Sequence, residues 1–244
     1  MRFMKKLSEV SKNSSKFLKV NGADLPYRVE RRRVKYPRLE FKTTELLVVL
    51  PKSVKDEAPL LEKKTNWIAR KHEEIQKAIE KIKTQMKNDH GLLIFGDYFE
   101  IHEDGSLKID FDGKQIRCNP KDQKHCRRLA NTLKKMLLHE LELAAGEYSK
   151  KLGAEFNRIT VRKQRSKWGS CSSKGNLSFN LQLICLPREL IRYLACHEVA
   201  HLKVKRHDRA FWEIVGREFE NYKEMEKKLF EYWFFVQTLG SRFT

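Results

Sequence analysis

Two histidines one helical turn apart are the residues of this sequence best suited to chemistry. His197 and His201 are four positions apart, and Glu198 directly follows the first. On a helix, side chains at positions i and i+4 lie on one face, so both imidazoles can bind one zinc ion. Glu198 then lies beside the ion, where it can polarise a zinc-bound water whose pKa falls to about 7. The spacing therefore predicts a hydrolytic zinc site.

A third ligand is expected from His207, six residues after His201. A continuing helix would carry His207 about 240° around the axis from His201, so the helix must end first. Val204 stands where a glycine would ease the turn, and valine avoids the left-handed conformation, so the turn is expected near Lys205 and Arg206. The alternative for His207 is to cap the next helix. The third ligand would then be one of three acidic residues, Glu213, Glu218 or Glu220.

A near-match to this motif lies elsewhere in the chain. His139-Glu140 is followed by Leu143 where the second histidine should stand. It lies on a predicted helix with an apolar stripe, so His139 is interpreted as a histidine of the helix surface. The metal site is therefore assigned to residues 197–207.

The composition indicates a folded and strongly basic protein. Of its 244 residues, 40% are hydrophobic and 34% are charged, and the formal net charge is +19. A positive field attracts polyanions such as nucleic acid or nucleotides without choosing among them. No apolar run is long enough to span a membrane, and the N-terminus lacks the apolar segment of a secretory signal. A cytoplasmic protein without membrane partners is expected.

The cysteines favour reduced thiols over a structural framework. There are five, and none forms a Cys-x-x-Cys pair. This argues against disulfides and against a cysteine-built zinc finger. Cys171 and Cys196 lie nearest to the histidines in sequence, but Cys196 would point about 100° away from His197 on a helix.

Residues 1–120 are predicted to form a β-rich region with one long helix. A Lys-rich lead-in over the first 20 residues precedes strand patterns over 17–50, with a turn at Asn21-Gly22. A second strand-rich stretch, with turns at Asp104-Gly105 and Asp112-Gly113, is expected to form a small antiparallel meander. No internal repeat is apparent. Apolar residues at seven-residue spacing predict the helix, over about 60–87: Leu61, Ile68, Ile75 and Ile82.

Residues 121–244 are predicted to form a second domain that carries the histidines. A helix is expected over about 121–152, ended by Gly153. Two strands follow, the second running through the segment NLSFNLQLICL. Pro187 suits the first turn of the histidine helix, and further helices are expected from near Asp208 and near Asn221.

Several motifs around the histidines resemble one family. They are the segment RSKWGSCS from Arg165, the segment LSFNLQL from Leu177, Pro187, the segment HEVAHLKVKRH from His197 to His207, and the Phe211-Trp212 pair. Together they resemble the YgjP-like metallopeptidase family, with a spacing similar to that of the SprT-like and WLM proteases. The resemblance is strongest over about 158–230 and extends more weakly to the N-terminal half.

The resemblance implies an α+β fold, with an N-terminal antiparallel β-rich subdomain and a C-terminal zincin-like metallopeptidase domain that has an active-site helix. It implies one zinc ion per chain, held by His197, His201 and His207, with Glu198 as the general base. It also implies a substrate peptide paired with an edge strand, expected here at 177–183. Candidate substrate contacts are Arg165, Trp168, Asn180 and Tyr222, with Arg165 and Tyr222 also considered for stabilising the oxyanion.

Two basic clusters keep other functions open. The first, between 158 and 174, suits a triphosphate because phosphoryl transfer depends on positioning and charge neutralisation. A nucleoside-triphosphate pyrophosphatase activity is also attached to the family that the chain resembles. The second, between 28 and 42, could follow a phosphate backbone. The first cluster consists of Arg158, Arg162, Lys163, Arg165, Lys167 and Lys174. The second consists of Arg28, Arg31, Arg32, Arg33, Lys35, Arg38 and Lys42.

Three hypotheses follow from these observations. The chain is a zinc-dependent peptidase, a metal-dependent UTP pyrophosphatase, or a nucleic-acid-binding protein whose zinc is structural. Structural zinc sites usually close with four protein ligands, often cysteines, whereas three ligands beside a glutamate favour catalysis. The peptidase is the favoured interpretation.

Overall fold

The computed structural model describes residues 16–86 and 91–239 and has the expected α+β architecture. Most of the lead-in expected over residues 1–20 lies outside these ranges, as does the last residue of the helix expected over 60–87. No helix of the described ranges is long and apolar enough to cross a lipid bilayer.

The contacts divide the chain into two compact units, Met1–Lys77 and Ala78–Thr244. The sequence favours a boundary near 120 instead. The difference arises because residues 91–118 pack into the same hydrophobic core as the histidine helix, with Leu93, Ile94 and Ile116 almost fully buried there. The division into a β-rich domain and a catalytic domain stays a prediction.

The first unit is built on a four-stranded sheet of order β1-β2-β4-β3. Strands β1 and β2 form an antiparallel hairpin through Asn21-Gly22, and β2 pairs in parallel with β4. Leu25, Leu46 and Leu50 form its core with Ile68. The elements are β1 Lys16–Val20, β2 Ala23–Arg32, β3 Arg38–Phe41, β4 Leu46–Pro51, α1 Ala58–Lys63 and α2 Thr65–Lys83, the last of which continues past the boundary.

The single helix expected over 60–87 is therefore two helices. Helix α1 ends at Lys63, and Lys64 leaves helical geometry with φ −110° and ψ 9°. The Thr65 hydroxyl donates to the carbonyl oxygens of Leu61 and Glu62, both at 3.0 Å. Such side-chain hydrogen bonds compete with the helical ladder and explain the break.

A second four-stranded sheet repeats the arrangement of the first. Its order is β5-β6-β8-β7, again with a hairpin, a parallel central pair and an antiparallel outer strand. Phe95-Gly96 takes the place of Asn21-Gly22, and both pairs have positive φ at both positions. The expectation that the chain lacks an internal repeat is wrong at the level of topology. The strands are β5 Gly91–Ile94, β6 Asp97–Glu103, β7 Lys108–Asp110 and β8 Gln115–Cys118.

The antiparallel meander expected over this stretch is also wrong, because β6 and β8 are parallel neighbours. A two-residue hairpin turn needs positive φ at its central residues. Neither Gly105 nor Gly113 has it. Instead the Asp104 carboxylate accepts the backbone N–H of Ser106 at 2.9 Å, and the chain crosses to the outer edge of the sheet before returning.

The rest of the second unit surrounds the histidine helix. Asp122 caps α3 at its N-terminus, and Gly153 ends it in the left-handed conformation, φ 54°. The expected final strand continues only to Asn180, and 181–185 is a 3₁₀ helix because the Asn180 side chain accepts the Gln182 N–H. The elements are α3 Gln123–Leu152, β9 Arg158–Arg162, β10 Gly169–Cys171, β11 Asn176–Asn180, α4 Arg188–Ala200, α5 Arg209–Glu218 and α6 Tyr222–Thr238.

The start of α4 is held from two sides. The Phe95 N–H donates to the Ile184 carbonyl at 2.7 Å, and the Arg188 guanidinium lies 4.0 Å from the centre of the Phe95 ring. On the other side, Arg192 pairs with Glu147 of α3 at 2.5 Å. These contacts fix the helix that carries the histidines.

Candidate active site

Helix α4 carries two histidines on the side that it does not bury in the core. Its apolar residues are almost fully buried, whereas the His197 and His201 side chains are only partly so. The expected amphipathic arrangement is therefore present. The buried residues include Leu190, Ile191, Leu194 and Ala195.

The chain turns back after α4 without a glycine. The Val204 N–H donates to the Ala200 carbonyl at 3.0 Å, which closes the last turn. Val204 does not adopt positive φ. A tight turn of ordinary backbone therefore replaces the left-handed residue that the sequence lacks, and it returns His207 towards α4.

Three imidazole nitrogens converge at this turn. The Nε2 atom of His207 lies 2.9 Å from Nε2 of His197 and 3.1 Å from Nε2 of His201. One ring nitrogen of each lies within 4.8 Å of the others, and no other such group of three occurs in residues 16–86 and 91–239. A hydrogen on one of these Nε2 atoms can be donated to only one of the other two. At least one pair of nitrogen lone pairs therefore still faces each other. A shared cation would remove this conflict.

The His201 ring is oriented by the same turn. Its Nδ1 lies 2.9 Å from the Val204 carbonyl oxygen. Because a carbonyl only accepts, Nδ1 carries the hydrogen and Nε2 keeps its lone pair for the cluster. Metal-binding histidines usually have such a second contact.

The His197 ring faces a carboxylate on its other side. Its Nδ1 is buried and has no hydrogen-bond partner among the described residues. Glu226 Oε1, from α6, lies 3.7 Å away. The buried Tyr193 hydroxyl donates to the same oxygen at 2.6 Å and so fixes the carboxylate near the ring.

Burial favours the neutral form of the His197 and His201 imidazoles. It lowers the pKa of His197 to about 3, and His201 and His207 add to the shift. Burial also lowers the pKa of His201, against the effect of its hydrogen bond to Val204. Neutral imidazole is the form that binds metal ions, so these rings are ready to do so at neutral pH.

Glu198 is a buried carboxyl group directly beside the cluster. Only 4% of the residue is exposed, and its Oε2 has no hydrogen-bond partner among the described residues. Burial raises its pKa to about 7, against the charge of Lys167 and the backbone N–H of Cys171. A carboxyl group with this pKa exchanges protons near neutral pH, as a general base and acid must.

Gly169 of β10 makes room for this carboxyl group. A Cβ atom at Gly169 would lie 2.6 Å from Glu198 Oε1 and 2.9 Å from its Cγ. Real Cβ contacts are not that short. The glycine of the WGSC segment is therefore needed for the close approach of β10 to α4.

The donor set fits a catalytic metal ion of the zinc type. Zinc commonly binds imidazole nitrogens. Three neutral histidine ligands leave its fourth coordination position open for water or substrate. Neither Cys171 nor Cys196 belongs to the group of converging ligand atoms, and Cys196 is fully buried with its pKa raised to about 12 by burial. For two of the three ring pairs, the Nε2 atoms lie only a few tenths of an ångström closer together than two ligands of one zinc ion would.

The four candidate substrate contacts lie in different environments. Arg165 is exposed. Trp168 is buried, and its indole N–H donates to the Leu229 carbonyl at 3.1 Å. Tyr222 stacks on Trp212 at 4.8 Å, and the Trp212 ring centre lies 5.8 Å from that of His207. Arg165 and Tyr222 stay predictions as substrate contacts, whereas the contacts of Trp168 are those of a core residue.

Asn180 holds the loop that precedes β10. It is fully buried, and its Nδ2 donates to the carbonyl oxygens of Gln164 at 3.0 Å and Lys167 at 3.1 Å. Its backbone N–H donates to the Trp168 carbonyl at 2.7 Å. Its Oδ1 accepts the Gln182 N–H at 3.2 Å, so both ends of the side-chain amide are used within the protein, where they position the WGSC segment.

The edge strand beside α4 is β10 and not 177–183. Strand β11 is central in a three-stranded sheet of order β10-β11-β9 and is paired on both sides. The expectation of a substrate strand at 177–183 is therefore wrong. Residues 169–171 of the WGSC segment form this short strand, which has one free edge within the described residues.

Sequence reasoning missed Glu226, Tyr193 and the close approach at Gly169. Glu226 lies on α6, nearly thirty residues after His197, and nothing in its neighbourhood marks it as special. The signal for Gly169 was present, because a glycine inside a strand often marks a close approach of backbone.

The pKa of Glu198 predicts a pH-dependent stability of the metal-free protein. Its value is raised from 4.5 to about 7, so the folded state loses stability as pH rises from about 4.5 to 7, and the full cost is present above that range. Glu198→Gln is expected to raise the free energy of unfolding by about 3 kcal/mol at pH 8 and by less than about 1 kcal/mol at pH 5.

Denaturant unfolding of both proteins in chelator, at the two pH values, measures this difference. The histidine titrations are common to both proteins and cancel in the comparison. Equal gains at pH 5 and pH 8 would contradict the raised pKa.

Comparison with known proteins identifies a family. The model of the YgjP-like metallopeptidase domain matches residues 35–232. Abylysin of Pyrococcus abyssi, a metallopeptidase zymogen, is 25% identical over 36% of this chain and 90% of its own, with a TM-score of 0.35. Jannalysin of Methanocaldococcus jannaschii, also a metallopeptidase zymogen, is 24% identical over 41% of this chain and 96% of its own, with a TM-score of 0.35. Both TM-scores are too low for either likeness to bear on the site.

No curated protein matches the chain. The family model nevertheless covers well over half of it, including every element of the histidine cluster. The chain therefore belongs to the YgjP-like family of metallopeptidase domains.

Proposed function

We propose that the protein is a zinc-dependent peptidase in which His197, His201 and His207 bind one zinc ion and Glu198 is the general base. The observation that carries the proposal is the convergence of three imidazole nitrogens beside a buried carboxyl group with an unpartnered oxygen. A purely structural site would gain nothing from that carboxyl group, whose burial is costly.

A bound zinc ion would act as a Lewis acid on the substrate carbonyl and make a water molecule acidic enough to react at neutral pH. Glu198 takes the proton of the attacking water at its unpartnered Oε2 and then gives it to the leaving amine. The buried position of Glu198 keeps solvent away from this transfer. Gly169 sets the distance between the carboxyl group and β10.

The free edge of β10 is the proposed binding surface for the peptide. An extended chain can add to an edge strand through backbone hydrogen bonds. Gly169 brings this edge against Glu198, so a peptide paired there has its scissile bond close to the general base. The strand has only three residues, so side-chain contacts must contribute to affinity.

The alternatives have less support. In the cluster between 28 and 42, five of the seven basic side chains contact carboxylates or backbone carbonyls: Arg28, Arg31, Arg32, Arg38 and Lys42. These pairings do not favour a phosphate track. Lys167 is the basic residue whose charge acts on Glu198, and one such residue is a weak argument for triphosphate chemistry.

The assay that tests the proposal compares peptide and triphosphate substrates. Zinc-loaded protein is incubated with casein, with a mixture of fluorogenic peptides, and with UTP. Peptide cleavage that stops with 1,10-phenanthroline and returns with added zinc supports the proposal. Pyrophosphate release from UTP without peptide cleavage would overturn it.

Glu226 is the proposed positioning residue for the first zinc ligand. The Tyr193 hydroxyl holds Oε1 of Glu226 at 3.7 Å from Nδ1 of His197, which is close enough for a small rotation of the ring to form a hydrogen bond. Such a bond fixes the tautomer with Nε2 free and makes the ring a better ligand. It also brings a negative charge near an otherwise uncharged set of ligands.

Glu226→Gln is expected to weaken zinc binding about tenfold, because carboxylates that orient metal-binding histidines typically have effects of this size. Competition with a chromogenic chelator measures the dissociation constant. Glu224→Gln, an exposed change on the same helix, is the matched control and should leave it unchanged. Equal affinities for Glu226→Gln and the control would remove Glu226 from the account.

A further inference from the structure

A cationic depression lies beside the histidine cluster. It has a volume of about 370 Å³ and is lined by three lysines, Lys174, Lys203 and Lys205, together with Ser173, Leu202 and one acidic residue, Glu155. The lysines come from two segments, the β10–β11 loop and the turn after α4. Ala154 and Glu155, from the segment between α3 and β9, complete the lining.

The three lysines are not neutralised by ion pairs. Among the described residues, none of them lies within 4.0 Å of a carboxylate, whereas other lysines of this unit do: Lys81 pairs with Glu231 at 2.9 Å and Lys151 with Glu218 at 2.7 Å. Glu155 is the one acidic side chain at the rim of the depression. Three ammonium groups around one space favour an anion there.

The loop that carries Lys174 has a fixed backbone. Ser172 N–H donates to the Asn176 carbonyl, and Gly175 N–H to the Ser172 carbonyl, both at 3.0 Å. The Asn157 side chain donates to the Lys174 carbonyl at 2.8 Å. Gly175 has φ +71°, a conformation that suits glycine. The position of Lys174 is therefore set by the fold.

Lys205 connects the depression to the proposed active site. Its Nζ lies 3.9 Å from Sγ of Cys171, the last residue of β10. Leu202, another lining residue, directly follows His201.

The length of β10 sets the distance between Glu198 and Lys205 along the proposed peptide. The strand begins at Gly169, against Glu198, and ends at Cys171, against Lys205. Two residues of strand span about 6.6 Å. A peptide paired with β10 and cleaved near Glu198 therefore has a side chain, about two residues from the scissile bond, that lies near Lys205 at the rim of the depression.

We propose that this depression is a specificity subsite for an acidic side chain, aspartate or glutamate, about two residues from the bond that is cleaved. The inference rests on the proposed peptidase function and names its substrate class as acidic peptides. Lys174, Lys203 and Lys205 bind the carboxylate, and Leu202 packs against its methylene groups.

The test uses fluorogenic peptides that differ at one position. Glutamate, glutamine or lysine is placed two residues to either side of the scissile bond, and kcat/KM is measured with zinc-loaded protein. The glutamate peptide should exceed the glutamine peptide about fivefold on one of the two sides, as expected for an ion pair near the surface. The ratio should fall towards one at high salt, because screening weakens such pairs.

The variant Lys174→Gln/Lys203→Gln should reduce the glutamate-to-glutamine ratio. Lys134→Gln/Lys135→Gln removes the same charge from the exposed face of α3 and should keep the ratio. Binding of the same peptides to zinc-loaded Glu198→Gln, followed by fluorescence anisotropy, should give the same order of affinities without turnover.

The outcomes separate the two proposals. Peptides cleaved with no preference for glutamate, or a preference that both double variants lose equally, overturn the subsite alone. No cleavage of any peptide overturns the proposed function. UTP is also tested as a competitor of the peptides in the anisotropy assay. If UTP competes, binds Lys174→Gln/Lys203→Gln more weakly, and the peptides show no glutamate preference, then the depression binds polyphosphate. In that case the subsite proposal is wrong.

Discussion

Glu198→Gln is expected to lower kcat by about 10²–10⁴-fold on every peptide that the zinc-loaded protein cleaves, the range typical of general acid–base catalysis. Glutamine has the same size but cannot take a proton from the attacking water. Zinc content should stay at that of the native chain, because Glu198 is not one of the three converging ligands. Initial rates with a fluorogenic peptide, and zinc measured by mass spectrometry on the same samples, give both quantities.

Glu142→Gln is the matched control for this variant. Glu142 lies exposed on α3, within the near-match to the metal motif, and the change removes the same charge. It should keep full activity. A Glu198→Gln protein that retains more than about a tenth of the native kcat would exclude Glu198 as the general base. Loss of zinc from that variant would instead indicate that Glu198 takes part in metal binding.

Gly169→Ala is expected to lower kcat about 10²-fold while zinc remains bound. The new Cβ atom would lie 2.6 Å from Oε1, 2.9 Å from Cγ and 3.0 Å from Cδ of Glu198, so the carboxyl group must move. A displacement of about 1 Å in a catalytic group can have this effect on the rate. The three atoms nearest to the added methyl group all belong to Glu198 and none to a histidine. The measurements are kcat, KM and zinc content.

Gly146→Ala provides the contrast. A Cβ atom at Gly146 meets nothing within 4 Å, and the residue lies inside α3. Alanine there should raise the free energy of unfolding by roughly 0.5–1 kcal/mol and leave kcat unchanged. If Gly169→Ala retains native kcat, then Glu198 tolerates displacement and its proposed proton transfer does not depend on β10.

The histidine cluster could be predicted from the sequence because its geometry is local. The i, i+4 spacing of His197 and His201 has one consequence on any helix, and His207 is only six residues further along. Because position 204 is valine and not glycine, the turn after the helix could also be expected to form without a residue in the left-handed conformation. Short-range geometry of this kind survives folding without help from distant residues.

The sheets were predicted less well because pairing depends on distant partners. The strand of Leu177 and Phe179 is apolar and looked like a candidate edge, but its neighbours on both sides are chosen by the fold. Asp104-Gly105 is typical of a hairpin turn, but the strand pairing and the backbone angles of the structure exclude one. The repeated arrangement of the two four-stranded sheets is not evident from the sequence, because Asn21-Gly22 and Phe95-Gly96 share backbone angles but not residue types.

The side chains around the site show the same limit. Trp168 and Asn180 belong to the motif that carried the resemblance, and both act through buried hydrogen bonds that position β10. A motif marks such residues as important without distinguishing a contact with substrate from support of the residue that makes it. Glu226 reaches His197 only because α6 packs beside α4, which no local pattern predicts.

The metal centre itself is tested most directly by a crystal of the zinc-loaded protein, with anomalous data collected on both sides of the zinc edge. One anomalous peak per chain is expected, about 2.0–2.1 Å from Nε2 of His197, His201 and His207, with no fourth ligand from the protein. A peak bound to a cysteine or to other residues, or histidine rings turned apart with no peak between them, would contradict it.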